Sequence, residues 1–210
     1  MPETLAVHLS VDGGVVRIVL DRPPLNILTI DVMHQLAAAL RDAAARPTTR
    51  VIVLAARGRA FSAGVDVGEH TADNVDRMLT AFHGLCRTLV ATDVPLVVLV
   101  NHGSASSAEV FAGAIQDHGR GPIVGEQTFG TGTVLSSWEL RDGSALLLGF
   151  AYWLTPNGRM IRDGGITPDV MVELPAGTPL LTPERTAGLS LEEVAAQDPQ
   201  LGAAFALLPR

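Results

Sequence analysis

The chain has 210 residues and no lysine, so all fifteen of its basic side chains are arginines. A serine enzyme needs a positioned proton acceptor to activate its hydroxyl, and in one known arrangement that acceptor is a neutral lysine amine. Such a base cannot be supplied by any residue of this chain. A serine nucleophile here would have to use another acceptor, with histidine as the first candidate.

Three further features that the sequence has little of, or lacks, limit the classes of protein to which the chain can belong. A single cysteine, Cys86, excludes an internal disulfide framework, and its place in an apolar helical stripe predicts packing rather than reactivity. No apolar run reaches the ~18 residues of a membrane span, and the first residues, Met1-Pro2-Glu3-Thr4, are too polar for a signal sequence. The sequence therefore predicts a cytoplasmic protein with no membrane partner.

Charge and hydrophobicity exclude another class of partner. The net charge of −7 gives no electrostatic support for binding a phosphate backbone, so no nucleic-acid partner is expected. A hydrophobic content of 47% suits one compact domain with a sizeable core, followed by a helical tail. No metal site and no cofactor are predicted.

The order of hydrophobic patterns predicts an α/β fold, because a strand–loop–helix succession recurs about three times. Functional loops then belong at the carboxyl ends of the apolar runs 51–56 and 95–100. Predicted strands cover 5–10, 15–20, 51–56, 95–100, 123–124, 133–140 and 144–154; predicted helices cover 30–45, 74–92 and 107–117, and a last one begins near 190.

A small-residue segment, Gly103-Ser104-Ala105-Ser106-Ser107-Ala108-Glu109, follows the run 95–100 and opens the helix 107–117. A serine at a helix start has free backbone amides and the positive helix end beside its hydroxyl, which makes Ser106 a candidate nucleophile. The bland alternative is that these serines only cap the helix. Glu109, in the first helical turn, is stabilised by the helix dipole in either case, so both a structural and a catalytic role stay open.

From about 95 to 172 the sequence resembles the tail-specific, or carboxyl-terminal processing, serine proteases. The segment from Gly103 to Glu109 carries the resemblance, together with Gly125-Glu126-Gln127-Thr128-Phe129-Gly130-Thr131-Gly132, Trp153-Leu154-Thr155-Pro156-Asn157-Gly158-Arg159 and Gly165-Ile166-Thr167-Pro168-Asp169. The resemblance implies a peptide substrate and a Ser–Lys dyad. Ser106 fills the nucleophile position, whereas Thr131, 25 residues on, fills the position of the lysine.

From about 15 to 100 the sequence resembles the enoyl-CoA hydratase/isomerase (crotonase) family. The run Arg59-Ala60-Phe61-Ser62-Ala63-Gly64-Val65-Asp66-Val67 carries the resemblance, with Leu20-Asp21-Arg22-Pro23-Pro24-Leu25-Asn26 before it. It implies that Ala63, Gly64, Val65 and Asp66 form an acyl-CoA-binding loop, with the Ala63 amide as one oxyanion donor. Asp66 is expected to hold the loop as a hydrogen-bond acceptor.

Both families share the ClpP/crotonase fold, so the predicted fold class is an α/β ClpP/crotonase-like spiral of ββα units with a helical C-terminal tail. We expect one such domain over 1–178, with a crotonase-like half over 1–94 and a protease-like half over 95–178, and a tail over 179–210. Such a hybrid could be natural or engineered. Ala63 and Ser106 are 43 residues apart, close to the spacing of the two oxyanion donors in crotonases. Both families commonly self-associate, which implies a homo-oligomer, a trimer or a hexamer.

Three functional hypotheses stay open at this point. The first is a serine hydrolase with Ser106 as nucleophile, Thr131 in place of the lysine, and a histidine (His70, His83, His102 or His118) as substitute base. The second is a crotonase-type enzyme acting on acyl-CoA, with the Ala63 and Ser106 amides on the thioester and Glu109 as its carboxylate. The third is a catalytically silent fold that binds a partner or itself.

Overall fold

The computed structural model describes residues 6–12, 14–58, 60–69, 71–179, 181–186 and 188–208. Eight strands and six α-helices lie in these ranges, in the order β1 (Val7–Asp12), β2 (Val15–Leu20), α1 (Ile30–Ala45), β3 (Val51–Ala56), α2 (Val75–Ala91), β4 (Val98–Val100), α3 (Ser107–Asp117), β5 (Ile123–Gly125), β6 (Thr133–Glu139), β7 (Ala145–Tyr152), β8 (Val170–Met171), α4 (Pro183–Thr186), α5 (Leu191–Gln197) and α6 (Pro199–Leu207). The predicted α/β class is confirmed.

The chain divides into two compact units. The first comprises Met1–Pro95 with Leu180–Leu189, and the second comprises Leu96–Pro179 with Ser190–Arg210. Residues of the C-terminal tail therefore belong to both units. The assignment of the two halves to different ancestries stays a prediction.

The first unit is built on a three-stranded sheet in the order β1-β2-β3, with β1 antiparallel and β3 parallel to β2. Alternate residues of β2 (Val16, Ile18 and Leu20) are fully buried against one face of α1, as a strand with one covered face requires. The Thr29 hydroxyl accepts the Val32 N–H and starts α1, as the sequence predicted. A continuous apolar run such as 51–56 predicts a strand buried on both faces. This run forms β3, but its residues are only partly buried, so that prediction is wrong. Cys86 is half-buried, and that burial raises the pKa of its thiol.

The second unit is built on the parallel sheet β4-β5-β8, packed against α3. β4 begins at Val98, three residues later than predicted, and Pro95 itself has no N–H to contribute to a strand ladder. Gly125 ends β5 at a φ of +130°, where a Cβ would lie 2.0 Å from the Val100 carbonyl oxygen. Only glycine allows this close approach, so the two strands deliver their following loops side by side.

Two antiparallel strands, β6 and β7, form a separate ribbon around the predicted turn at Arg141-Asp142-Gly143. Leu140 and Ser144 close that turn through a 2.7 Å backbone hydrogen bond. The apolar pattern of residues 153–156, after β7, predicts core strand and turn. Thr155 is buried, whereas Trp153 and Leu154 are exposed, so the core expectation is wrong for both.

A buried asparagine, Asn26, fixes the glycine-rich loop after β3. Its amide nitrogen donates to the carbonyls of Arg57 (2.8 Å) and Ala60 (2.9 Å), and its amide oxygen accepts the Arg22 N–H (2.8 Å). Asn26 also adopts a φ of +50°, which asparagine tolerates better than most residues. One side chain therefore satisfies three backbone groups and anchors Arg57 and Ala60 of this loop.

Replacing this anchor tests the fold. Asn26→Ala leaves three backbone groups without partners and places alanine at positive φ, so we expect a loss of about 3 kcal/mol in the free energy of unfolding. Urea denaturation followed by circular dichroism measures the loss. Asn157→Ala, at an exposed turn, is the matched control and should change the free energy by less than about 0.5 kcal/mol. Equal effects of the two substitutions would show that the Asn26 hydrogen bonds do not hold the loop.

Candidate active site

Ser106 lies between the carboxyl end of β4 and the first residue of α3, and it is exposed. Its backbone has φ +55° and ψ −118°, a conformation that non-glycine residues rarely adopt. Such a conformation typically costs on the order of 1–3 kcal/mol and persists only where surrounding contacts impose it. Strain of this kind is concentrated at functional sites, so the conformation of Ser106 bears on the choice between a functional role and a helix cap.

The contacts that impose this conformation converge on Glu109, whose side chain is fully buried. Its Oε2 accepts the backbone N–H groups of Ser106 (2.9 Å) and Thr131 (2.8 Å). Its Oε1 accepts the Thr128 hydroxyl (2.6 Å) and the Gly130 N–H (2.6 Å). Four donors therefore saturate one carboxylate, which is how a buried charge is made tolerable.

This carboxylate joins the two motifs that the sequence singled out. Ser106 and Thr131 donate to the same oxygen atom, so the serine loop after β4 and the glycine-rich loop after β5 are held on either side of it. A second bond, from the Phe129 N–H to the Ser104 carbonyl (3.0 Å), ties the loops again. These contacts give Glu109 a structural role, and a catalytic role for it stays a prediction.

Thr128 extends the network into the core of the second unit. Its hydroxyl donates to Glu109 and accepts the Ile166 N–H (2.7 Å). The structure explains the threonine, because this position needs a group that is donor and acceptor at once, and a carboxylate is not a donor.

The two amides expected to hold an oxyanion are both engaged. The Ala63 N–H donates to the Leu25 carbonyl (2.9 Å), and the Ser106 N–H donates to Glu109. In this structure both N–H groups therefore have acceptors within the chain. Their pairing on one carbonyl group stays a prediction.

The rest of the crotonase-like loop forms a bridge to the segment before α1. Val65 pairs with Leu28, and the Leu28 N–H donates to the Gly64 carbonyl (2.9 Å). Gly64 has a φ of +102°, and Asp66 Oδ1 accepts the Gly68 N–H (2.8 Å), as a loop-holding acceptor should. These contacts explain how the loop is shaped. Binding of acyl-CoA by Ala63, Gly64, Val65 and Asp66 stays a prediction.

One of the candidate histidines is oriented by a carboxylate in the second unit. His102 Nδ1 lies 3.0 Å from Glu126 Oε2, and the imidazole is 87% exposed. The Leu174 N–H donates to Glu126 Oε1 (2.9 Å); this bond first, and the His102 contact second, lower the pKa of the Glu126 carboxyl. Glu126 is therefore held as an anion beside the ring.

The other histidines are placed differently. His118 caps the carboxyl end of α3, and the two caps, twelve residues apart, put it roughly 18 Å from Ser106. His83 lies in α2 of the first unit, and His70 lies outside the described residues. Within the described ranges, no group of three or more His, Cys, Asp or Glu side chains has the arrangement of a metal site, and no helix there is long and apolar enough to cross a membrane.

Comparisons with known proteins can be set beside this geometry. A sequence model of peptidase family S41 matches residues 36–172. The carboxyl-terminal-processing protease of Synechocystis sp. is 51% identical over 85 residues, which is 40% of this chain and 20% of that protein. The chloroplastic C-terminal processing peptidase of Tetradesmus obliquus is 41% identical over 123 residues, covering 55% of this chain and 26% of that protein. The matched segments span about a quarter or less of these relatives.

Among solved structures, the photosystem II D1 C-terminal processing protease aligns with a TM-score of 0.54 and 24% identity, over 87% of this chain and 46% of that one. An enoyl-CoA hydratase from Mycobacterium avium subsp. paratuberculosis aligns with a TM-score of 0.44 and 24% identity, over 58% of this chain and 44% of that one. The fold is that of the carboxyl-terminal processing proteases, which confirms the predicted ClpP/crotonase-like class. More narrowly, the chain belongs to peptidase family S41. The family match begins at residue 36, well inside the segment that resembles crotonases.

The Glu109 network predicts a sharp stability effect. In Glu109→Gln an NH₂ group replaces one carboxylate oxygen and faces N–H or O–H donors, so we expect a loss of about 3 kcal/mol or more in the free energy of unfolding. The matched control is Glu193→Gln, because Glu193 accepts the Ser190 N–H at the start of α5 in the same capping geometry, but exposed to solvent. Urea unfolding midpoints compare the two. A similar, small shift in both variants would contradict the anchoring role.

Proposed function

We propose that this chain is a serine peptidase of the carboxyl-terminal processing type, with Ser106 as the nucleophile that attacks a peptide carbonyl. One observation carries the proposal: an exposed serine in a strained conformation at the start of α3, held there by a buried carboxylate that also holds the Thr131 loop. A helix cap alone needs neither the strain nor the second loop. Family membership supports the same assignment of Ser106.

In this proposal the oxyanion donor of the serine loop is the Ser107 amide, one residue after the Ser106 amide that the sequence predicted. At the start of α3 the N–H groups of Ser106, Ala108 and Glu109 have acceptors within the chain. The Ser107 N–H is the first amide of the helix itself and has no intrahelical acceptor by geometry. We therefore assign the developing oxyanion to the Ser107 amide, which also lies at the positive end of the helix.

The proton acceptor must replace the absent lysine. Thr131 stands at the lysine position, but its hydroxyl is not basic near neutral pH, and its amide serves Glu109. His102 is our candidate for this acceptor. It lies on the same loop as Ser106, its Nδ1 contacts Glu126, and its exposed imidazole leaves Nε2 accessible. Thr131 is then left to orient a water molecule or a substrate group.

The chemistry follows the usual two steps of acyl transfer. As the Ser106 Oγ–carbon bond forms, the hydroxyl proton passes to His102 Nε2 and negative charge develops on the carbonyl oxygen. Breaking of the peptide C–N bond returns that proton to the leaving amine and leaves an acyl-enzyme. A water molecule then hydrolyses the ester, with His102 again taking and returning one proton.

No specific observation favours the other two hypotheses. The acyl-CoA hypothesis depended on a free Ala63 amide, and that amide donates to Leu25. A catalytically silent fold would not require strain at Ser106. The peptide substrate belongs to this proposal, and the cytoplasmic location stays a prediction.

Covalent labelling tests the nucleophile. A fluorophosphonate probe should add one label per chain, detected by intact-mass spectrometry, and Ser106→Ala should abolish labelling. Ser107→Ala, one residue on, keeps the backbone amide and is the matched control with labelling retained. A chain that is never labelled, or a Ser106→Ala variant labelled at the normal rate, would remove Ser106 from the mechanism.

The base is tested by the rate of covalent labelling. His102→Gln should lower the labelling rate at neutral pH by about 100-fold or more, the usual contribution of a general base. His118→Gln, at the far end of α3, is the control and should be labelled at the rate of the unmodified chain. A His102→Gln variant that is also labelled at that rate would mean that another group takes the proton.

A further inference from the structure

The imidazole of His102 is not held in place by packing. Its side chain is 87% exposed, and its Nδ1 lies 3.0 Å from Glu126 Oε2. An exposed pair of this kind contributes little when both side chains are free to move, because both must be ordered to form it. The orientation of the ring therefore depends on how firmly Glu126 itself is fixed.

Glu126 is fixed at its backbone and at its second carboxylate oxygen. Its N–H donates to the Val100 carbonyl at the end of β4 (3.0 Å), and its Oε1 accepts the Leu174 N–H (2.9 Å). The bond from Leu174 also lowers the pKa of the carboxyl, which favours the ionised form. An ionised carboxylate only accepts hydrogen bonds. The ring nitrogen that faces it, Nδ1, therefore carries the proton, and Nε2 of His102 keeps its lone pair.

Leu174 lies beyond the end of β8 (Val170–Met171), so the strand ladder alone does not fix its position. A strand of two residues is also shorter than most strands in globular proteins. The anchor is Val172, which is held at both of its backbone groups. Its N–H donates to the Gly125 carbonyl (2.8 Å), and its carbonyl accepts the side-chain amide of Gln200 (2.8 Å). These two bonds fix the path of the chain just before it reaches Leu174.

Gln200 belongs to the first turn of α6, which is buried and tightly capped. Its side chain lies in a residue that is 7% exposed, and the capping residue Asp198 is 6% exposed. Asp198 Oδ1 accepts the N–H groups of Gln200 (2.9 Å) and Leu201 (3.0 Å), and Pro199 occupies the first helical position. α6 also packs against β4 and β5. The amide that holds Val172 is therefore part of the rigid frame of the second unit.

We propose that Gln200, and with it helix α6, positions the imidazole of His102. The contacts run from Gln200 to the segment 172–174, from there to Glu126, and from Glu126 to the ring. Gln200 touches none of the reacting groups, so it is a positioning residue. The carboxyl-terminal helix thereby controls which nitrogen of the ring is free to accept a proton. The effect on reaction rate rests on the proposed function, in which His102 is the base, whereas the positioning of the ring does not.

Replacing Gln200 by methionine tests this chain of contacts. Gln200→Met keeps the length of the side chain and its packing but cannot donate to the Val172 carbonyl. NMR of the full chain with ¹⁵N-labelled histidine, at a pH where the rings are neutral, reports which nitrogen is protonated, and the signal missing from His102→Gln identifies the ring. We expect the proton on Nδ1 in the unmodified chain and a shift towards Nε2 in Gln200→Met. The rate of fluorophosphonate labelling should fall by about tenfold, as is typical when a residue that orients a histidine is lost.

The matched control removes the same kind of bond on the other side of β8. Gln116 Nε2 donates to the Thr167 carbonyl (3.0 Å) and to Asp169 Oδ1 (2.8 Å), both before that strand. Gln116→Met should therefore leave the tautomer of His102 and the labelling rate unchanged. Gln200→Asn keeps the amide but is one methylene shorter. It should act like Gln200→Met, and it provides the test if the methionine variant does not fold.

The two readouts separate this proposal from the proposed function. A proton on Nε2 of His102 in the unmodified chain, or a tautomer that does not respond to either Gln200 substitution, would overturn the positioning role whatever the labelling rates are. An equal response to Gln116→Met would also overturn it, because the cause would then be a general loosening of the unit. A tautomer that responds to Gln200 alone supports the positioning role. If labelling of Gln200→Met is then as fast as that of the unmodified chain, the positioning role stands and His102 is not the base.

Discussion

The candidate active site depends on one buried carboxylate, that of Glu109. Removing a charged group from water is expensive, and it is tolerated here because four donors point at its two oxygens. Three of those donors are backbone amides. One comes from Ser106 in the loop after β4, and two come from Gly130 and Thr131 in the loop after β5. The contacts that hold this carboxylate in place therefore also fix the position of Ser106 relative to Thr131.

The surrounding architecture supplies the rigid frame that this arrangement needs. β4 and β5 run parallel, and Gly125 allows them to approach so closely that their following loops emerge together. Thr128 connects the carboxylate to Ile166, a core residue of the same unit. The strained backbone of Ser106 persists because this frame leaves it no relaxed alternative.

Much of this could be read from the sequence, and the reasons are specific. Thr29 predicted the start of α1 because a hydroxyl before an apolar helical stripe is a local signal. The motifs around Ser106 and Thr131 predicted that their loops would meet. The acceptors of the Ala63 and Ser106 amides could not be predicted. A backbone N–H carries no residue-specific signal, and the tertiary structure decides which acceptor it meets. Asn26 was likewise seen only as part of a motif, although its buried amide holds three backbone groups. The exposure of β7 and Trp153 was missed because the same apolar pattern describes a buried strand and an uncovered one.

Hydrogen exchange tests the central claim most directly, because the amides of Ser106, Gly130 and Thr131 share one acceptor group. Measured by NMR in the native state, their N–H groups should exchange slowly and with one common opening free energy, although they belong to loops more than twenty residues apart. All three should then accelerate together in the Glu109→Gln variant. Fast, independent exchange of the three amides in the unmodified chain would contradict the account, since it would mean that the carboxylate does not hold the two loops as a unit.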